Sequence, residues 1–176
     1  MRTYTRAKIA GGCYFFTVNL AERRNNDLLV RHVASLREAF RHTRKEHPFD
    51  LEAIVILPDH LHCIWQLPEN DDNFPMRWRL IKARFSRLIA RSELVSASRQ
   101  RKGERGIWQR RYWEHVIRDQ RDWERHMDYI HSNPVKHGYV SAVRDWPHSS
   151  FHRLVARGIY SPDWCAEPEI GTLDFE

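Results

Sequence analysis

The stretch Ile54–Leu67, IVILPDHLHCIWQL, decides how this chain folds. Two apolar runs are separated by Pro58-Asp59, a pair that turns the backbone. They read as antiparallel strands over about 51–57 and 60–67, joined by a tight bend. Side chains alternate along a strand, so His60 and His62 share one face while Leu61, Cys63 and Trp65 share the other. Two imidazoles on one face are either half of a divalent-metal site or a pair of partly exposed strand histidines. The metal reading needs a third ligand from elsewhere in the chain.

Working outward, CYFFTVNL (13–20) is rich in aromatic and β-branched residues and reads as a first strand. Leu29, Val33, Leu36 and Phe40 mark an amphipathic helix over about 28–45, stopped by His47-Pro48. After an acidic loop at 68–75, MRWRLIKARFSRLIARS is the most strongly patterned helix in the chain. Residues 96–106 read as a mobile basic loop, 107–117 as a further strand, and 122–132 as a third helix with Trp123, Met127 and Ile130 on its core face. Asn133-Pro134 is expected to end or kink that helix. A short helical piece follows near 151–157. The order predicts an α+β domain over 1–160, a ferredoxin-like antiparallel sheet with its helices packed on one side, followed by an acidic tail over 161–176.

Composition narrows the function. The chain has 176 residues, and its three cysteines are far apart with no CxxC pair, which argues against a disulfide framework or a cysteine-rich zinc knuckle. No apolar run approaches the ~20 residues of a membrane span, so no membrane role is expected. The net charge is +6, yet the tail carries five acids and no Lys or Arg, leaving +11 on residues 1–160. A body this basic suits a polyanionic partner, nucleic acid first. The tail either competes with that partner for the basic surface or is a solubilising end.

The third helix offers what the histidine pair lacks. At ~100° per residue Tyr129 and Asn133 lie close together, well off the Trp123–Met127–Ile130 stripe, with His126 on the same flank. The phenol then need not be buried in the core. Two imidazoles and one carboxamide oxygen around a divalent cation, with a tyrosine alongside, suit phosphodiester cleavage by a covalent route. A phenol ionises near pH ~10, so it needs a positive field or a proton acceptor. The bland alternative makes Tyr129 an ordinary helix tyrosine and Asn133 a C-cap.

PDHLHCIW resembles the histidine–hydrophobe–histidine motif of the HUH single-strand DNA nucleases. WQRRYWEHVIRD and HMDYIHSNPVKHGYV resemble signature segments of the REP-associated tyrosine transposases, and GGCYFFTVNL and DWPHSSFHR match the same family in order. The resemblance covers about residues 8–160 and implies the HUH endonuclease fold. It implies His60 and His62 as metal ligands, Tyr129 as nucleophile leaving a 5′-phosphotyrosine and a free 3′-OH, and Mg²⁺ or Mn²⁺ as the metal. Asn133 occupies the third-ligand position, where the broader single-tyrosine group often has Gln.

The implied substrate is single-stranded DNA beside a hairpin of the repetitive extragenic palindrome (REP) type. The implied setting is the bacterial cytoplasm at the nucleoid, with the enzyme acting as a monomer. Arg77, Arg84, Arg87 and Arg91 form a candidate phosphate-contacting row, with Arg110, Arg111 and Lys136 flanking the site. The resemblance places the segment around Arg6–Tyr14 at the hairpin foot. A non-catalytic hairpin-binding protein and a hydrolase of small phosphoesters are the competing expectations.

Overall fold

Strand β3 (His60–Gln66) is buried on both faces along nearly its whole length. A strand with two apolar faces needs cover on both sides, and the rest of the fold supplies it. The computed structural model describes residues 8–91 and 97–165; Arg6 and positions 166–176 of the acidic tail lie outside the described residues.

The sheet is four-stranded in the order β2-β3-β1-β4, with β1 at Cys13–Asn19, β2 at Asp50–Ile56 and β4 at Trp113–Val116. β3 runs antiparallel to both β1 and β2, and β4 antiparallel to β1. β1 and β2 are therefore parallel, joined by a crossover through α1 (Leu28–Arg31) and α2 (Val33–Glu46), with β3 inserted between them. This is the expected ferredoxin-like arrangement. His32, with non-helical backbone angles, divides the helix expected over 28–45 into α1 and α2.

The helices do not all lie on one side. α2 and α3 (Phe74–Leu88) cover one face, burying Leu36, Phe40, Trp78 and Phe85 against Phe16, Cys63 and Trp65. The opposite face, Phe15, Val55 and Ile64, is closed by α5 (Gln120–Lys136) through Met127 and Ile130 and by α6 (Phe151–Ala156) through Leu154. Each face of β3 is apolar below its histidines, so a one-sided arrangement would leave Ile64, Val55 and Phe15 in water.

Two local expectations also change. Part of the segment expected as a loop over 96–106 forms a short helix, α4 (Ala97–Arg101). α5 runs through Pro134 to Lys136 instead of stopping at Ser132. Proline removes one ladder bond there, but the final turn is held by His137 N–H to the Asn133 carbonyl (3.0 Å) and Tyr139 N–H to the Pro134 carbonyl (3.0 Å). The helix stops at Gly138, whose φ of +71° reverses the chain at little steric cost. The start is equally defined: the Asp119 side chain accepts from Asp122 N–H (2.8 Å).

Candidate active site

The extra turn of α5 matters because it lengthens the ridge Tyr129–Asn133–His137, three residues spaced by four and therefore stacked on one face. That ridge lies along the histidine pair. The Tyr129 ring centroid is 5.3 Å from that of His62, and the His137 ring is 5.3 Å from His60. Asn133 stands midway between Tyr129 and His137 on the ridge, and the rings of His60 and His62 are 5.0 Å apart.

These residues are buried, not poised at a surface. His62 and Asn133 are fully buried, and His60 and Tyr129 are 1% exposed. Tyr129 is thus part of the sheet-facing side of α5, contrary to the expectation that it stands clear of the core. The helix is covered by sheet over a wider arc than the Trp123–Met127–Ile130 stripe, because β2 and β3 lie beneath it and Phe15 of β1 reaches it. Phe15 supports the site from β1, 5.6 Å from the His62 ring and 6.0 Å from Tyr129.

Each histidine is oriented through its Nδ1. His60 Nδ1 bonds Asp59 Oδ1 at 2.7 Å, and Arg23 Nε donates to the other carboxylate oxygen at 2.7 Å. His62 Nδ1 bonds Thr17 Oγ1 at 2.9 Å. A proton held on Nδ1 leaves the Nε2 lone pair as the ligating position, the usual way a second residue prepares a metal-binding imidazole. Burial pushes the Asp59 carboxyl up, but the bonds from His60 and Arg23 outweigh it and hold it down at about 2. The carboxylate therefore stays charged across the working range and keeps its hold on His60 Nδ1.

The Asn133 carboxamide, whose oxygen is a suitable cation ligand, is consistent with a cation at these residues. Both its oxygen and its nitrogen are buried and make no hydrogen bond among the described residues. An orphaned buried amide costs about 1–3 kcal/mol per group, and a ligand offering the missing interaction relieves that cost. Lys136 Nζ lies 5.1 Å from the Tyr129 ring centroid, supplying positive charge beside the phenol.

Among the expected site residues, His60, His62, Tyr129, Asn133 and Lys136 are brought together. The others are dispersed. Tyr14 is fully buried on the opposite face of the sheet, its hydroxyl bonded to Ile9. Arg77 is 1% exposed and engaged by Asp71 and three backbone carbonyls, while Arg84 bonds Thr43 Oγ1 (2.8 Å) and Glu46. Arg87, Arg91, Arg110 and Arg111 are exposed, with Arg110 paired to Glu104 (3.0 Å).

His126 is not at the histidine pair. It stacks on His115 (ring centroids 4.7 Å apart) on the far side of Phe15, with Asp122 between them. Asp122 Oδ2 accepts from His115 Nε2 at 2.8 Å, and His126 Nδ1 donates to the Asp122 carbonyl at 2.7 Å. The potential ligand atoms of this trio lie within 4.8 Å of one another. Their mutual bonds tie the first turns of α5 to β4 and so fix the height of Tyr129 over the sheet. Thr17, Asp59, Arg23 and His137 were not singled out from the sequence. Only Asp59 carried a usable signal, as the carboxylate next to the first histidine.

Known proteins resemble this chain over nearly its whole length. The family described as "Transposase IS200 like" matches residues 11–133. A REP-associated tyrosine transposase of Escherichia coli K12 is 47% identical over 167 residues, covering 95% of this chain and 93% of the relative. A solved structure of a REP-associated tyrosine transposase bound to a REP hairpin superposes with a TM-score of 0.83 at 46% identity, covering 99% of this chain and 95% of that one. Among the described residues no helix is long and apolar enough to cross a membrane.

Proposed function

The chain belongs to the IS200-like transposases and, within them, to the REP-associated tyrosine transposases, and from that premise we propose that it nicks and rejoins single-stranded DNA at REP-type hairpins through Tyr129. The observation that carries this reading is the ridge Tyr129–Asn133–His137, whose ends pack on His62 and His60 and whose middle residue carries an orphaned carboxamide. Together these residues offer a nucleophile and a cation-binding set within one buried cluster.

His60, His62 and Asn133 would hold Mg²⁺ or Mn²⁺, with Asp59 and Thr17 orienting the two imidazoles. When bound, such a cation polarises the scissile phosphate and offsets the charge that develops on it. The Tyr129 oxygen forms the new bond to phosphorus as the phenol gives up its proton. The bond from phosphorus to the 3′ oxygen breaks, and that oxygen takes up a proton as it leaves. The product is a 5′-phosphotyrosine and a free 3′-OH. The covalent bond stores the energy of the cleaved phosphodiester, so the reverse attack by a 3′-OH rejoins strands without ATP. Lys136 favours the negative charge that builds on the phenol oxygen during attack. Arg111, exposed ahead of β4, is available to hold the strand by its phosphates, whereas Arg110 is engaged by Glu104.

Incubating the protein with a labelled hairpin oligonucleotide and Mn²⁺ tests the proposal. A denaturation-resistant protein–DNA adduct is expected, and binding without an adduct would favour the non-catalytic reading. The role given to Asp59 has its own readout. Asp59→Asn is expected to weaken Mn²⁺ binding about 10–100-fold, measured by titration calorimetry on the DNA-free protein. Unchanged affinity would reduce Asp59 to a partner for Arg23.

A further inference from the structure

A groove of about 810 Å³ lies between α3 and residues 99–112, across the sheet from Tyr129. Seven Arg or Lys side chains line it against one carboxylate, Glu104. Four of these cations are occupied by the protein itself. Lys82 donates to the Gln109 carbonyl (3.0 Å), Arg105 caps carbonyls at the end of α3, and Arg99 and Arg110 converge on Glu104. The remaining three, Arg79, Arg87 and Arg91, are exposed and make no hydrogen bond or ion pair among the described residues. Arg79 and Arg87 lie along one i±4 ridge of α3, a different face from that of Arg77 and Arg84, and Arg91 follows just beyond the end of the helix.

The wall opposite this ridge is aromatic. Lys82 Nζ sits 5.1 Å from the Tyr112 ring centroid and 5.8 Å from that of Trp108. Basic side chains facing an aromatic wall are what unpaired nucleotides require, since phosphates take the charge and bases take the rings. The volume has room for about two nucleotides on the scale of ligand pockets and none for a duplex.

The groove also begins near the histidines. Gln109 N–H bonds the Asn19 carbonyl (3.0 Å), and Asn19 pairs with His60. Gln109 is therefore two strand spacings from His60, or roughly 10 Å. A strand held at His60 and His62 needs to pass only the end of β1 to reach it.

We infer that this groove is a subsite for the unpaired nucleotides flanking the cleaved phosphodiester, with Arg79, Arg87 and Arg91 on the phosphates and the half-buried Tyr112 ring, backed by Trp108, against a base. The inference rests on the reading of the chain as a single-strand DNA nuclease. Its test is a comparison of affinities for a bare hairpin and for the same hairpin with a four-nucleotide extension on either side. The intact protein should bind one of the extended forms at least tenfold more tightly. In Arg79→Ala/Arg87→Ala/Arg91→Ala that advantage should vanish. For the extended form, the slope of log affinity against log salt should also shrink by about 2, from three lost single-strand phosphate contacts.

Arg31→Ala/Arg41→Ala/Lys45→Ala removes the same charge elsewhere and should keep the advantage. Retention of the advantage in the first variant overturns the proposal. So does an equal loss on bare and extended hairpins, which would assign the groove to the stem. Failure of the nuclease reading is distinguishable, because it appears in the intact protein as a missing adduct.

Discussion

Tyr129→Phe is expected to abolish the covalent adduct and to lower strand cleavage by at least about three orders of magnitude, the scale on which enzymes lose activity when their nucleophile is removed. The change deletes one oxygen and leaves the ring that packs against Phe15 and His62. The fold and the hairpin affinity should therefore persist, and both can be measured on the same preparation by thermal denaturation and by gel shift. Loss of adduct with retained binding assigns the chemistry to the phenol. An adduct that survives would move the nucleophile elsewhere, and peptide mapping of the labelled adduct would identify it. Activity on small phosphoesters that survives the substitution would instead favour simple hydrolysis.

The largest effect on stability is expected at Arg77, which reads from sequence as one of four phosphate-contacting arginines. Its guanidinium bonds both oxygens of Asp71 (2.7 and 3.0 Å) and the carbonyls of His47, Pro48 and Asn73. It thereby clamps the loop before α3 onto the turn after α2. Arg77→Ala leaves those carbonyls unsatisfied and the carboxylate without its partner, at a cost of about 3–5 kcal/mol. For a chain of this size the midpoint of thermal unfolding should fall by roughly 10 °C. Arg77→Lys should recover little, since an ammonium cannot reproduce the five-donor fork.

The pair also predicts an acid dependence. The Arg77 bond holds the Asp71 carboxyl below its usual range, though burial opposes this. Its stabilisation is present above pH ~4 and is lost as the pH falls through the folded value. Arg77→Ala should therefore show a shallower decline in stability on acidification. A midpoint within 2–3 °C of the parent, converted at about 3 °C per kcal/mol, would return Arg77 to the DNA-contacting set.

Short-range pattern was enough to place β1, β2 and β3 and to name a candidate reactive set, while β4 is shorter than the strand expected over 107–117. Alternation put His60 and His62 on one face of β3, and helical spacing joined Tyr129 to Asn133, because both regularities depend only on backbone geometry. Motif resemblance extended this to the family. Pattern was least informative for the arginines. Spacing along α3 cannot distinguish Arg77, locked into a loop clamp, from Arg87, exposed beside a groove, because that difference lies in what α2 and residues 99–112 place next to them.

The histidine pair, its shared face and the pairing of Tyr129 with Asn133 on one flank of the helix were thus determined by the sequence alone. Three features were decided only by tertiary structure: α5 on the second face of the sheet, the burial of Tyr129, and the orienting of His60 by Asp59 and of His62 by Thr17. The physical reason is range. Periodicity reports which side chains share a face, whereas burial and the hydrogen bonds that orient a side chain depend on which distant segments cover that face. β3 is apolar on both faces beneath its histidines, and only a helix from more than fifty residues downstream could close the second one.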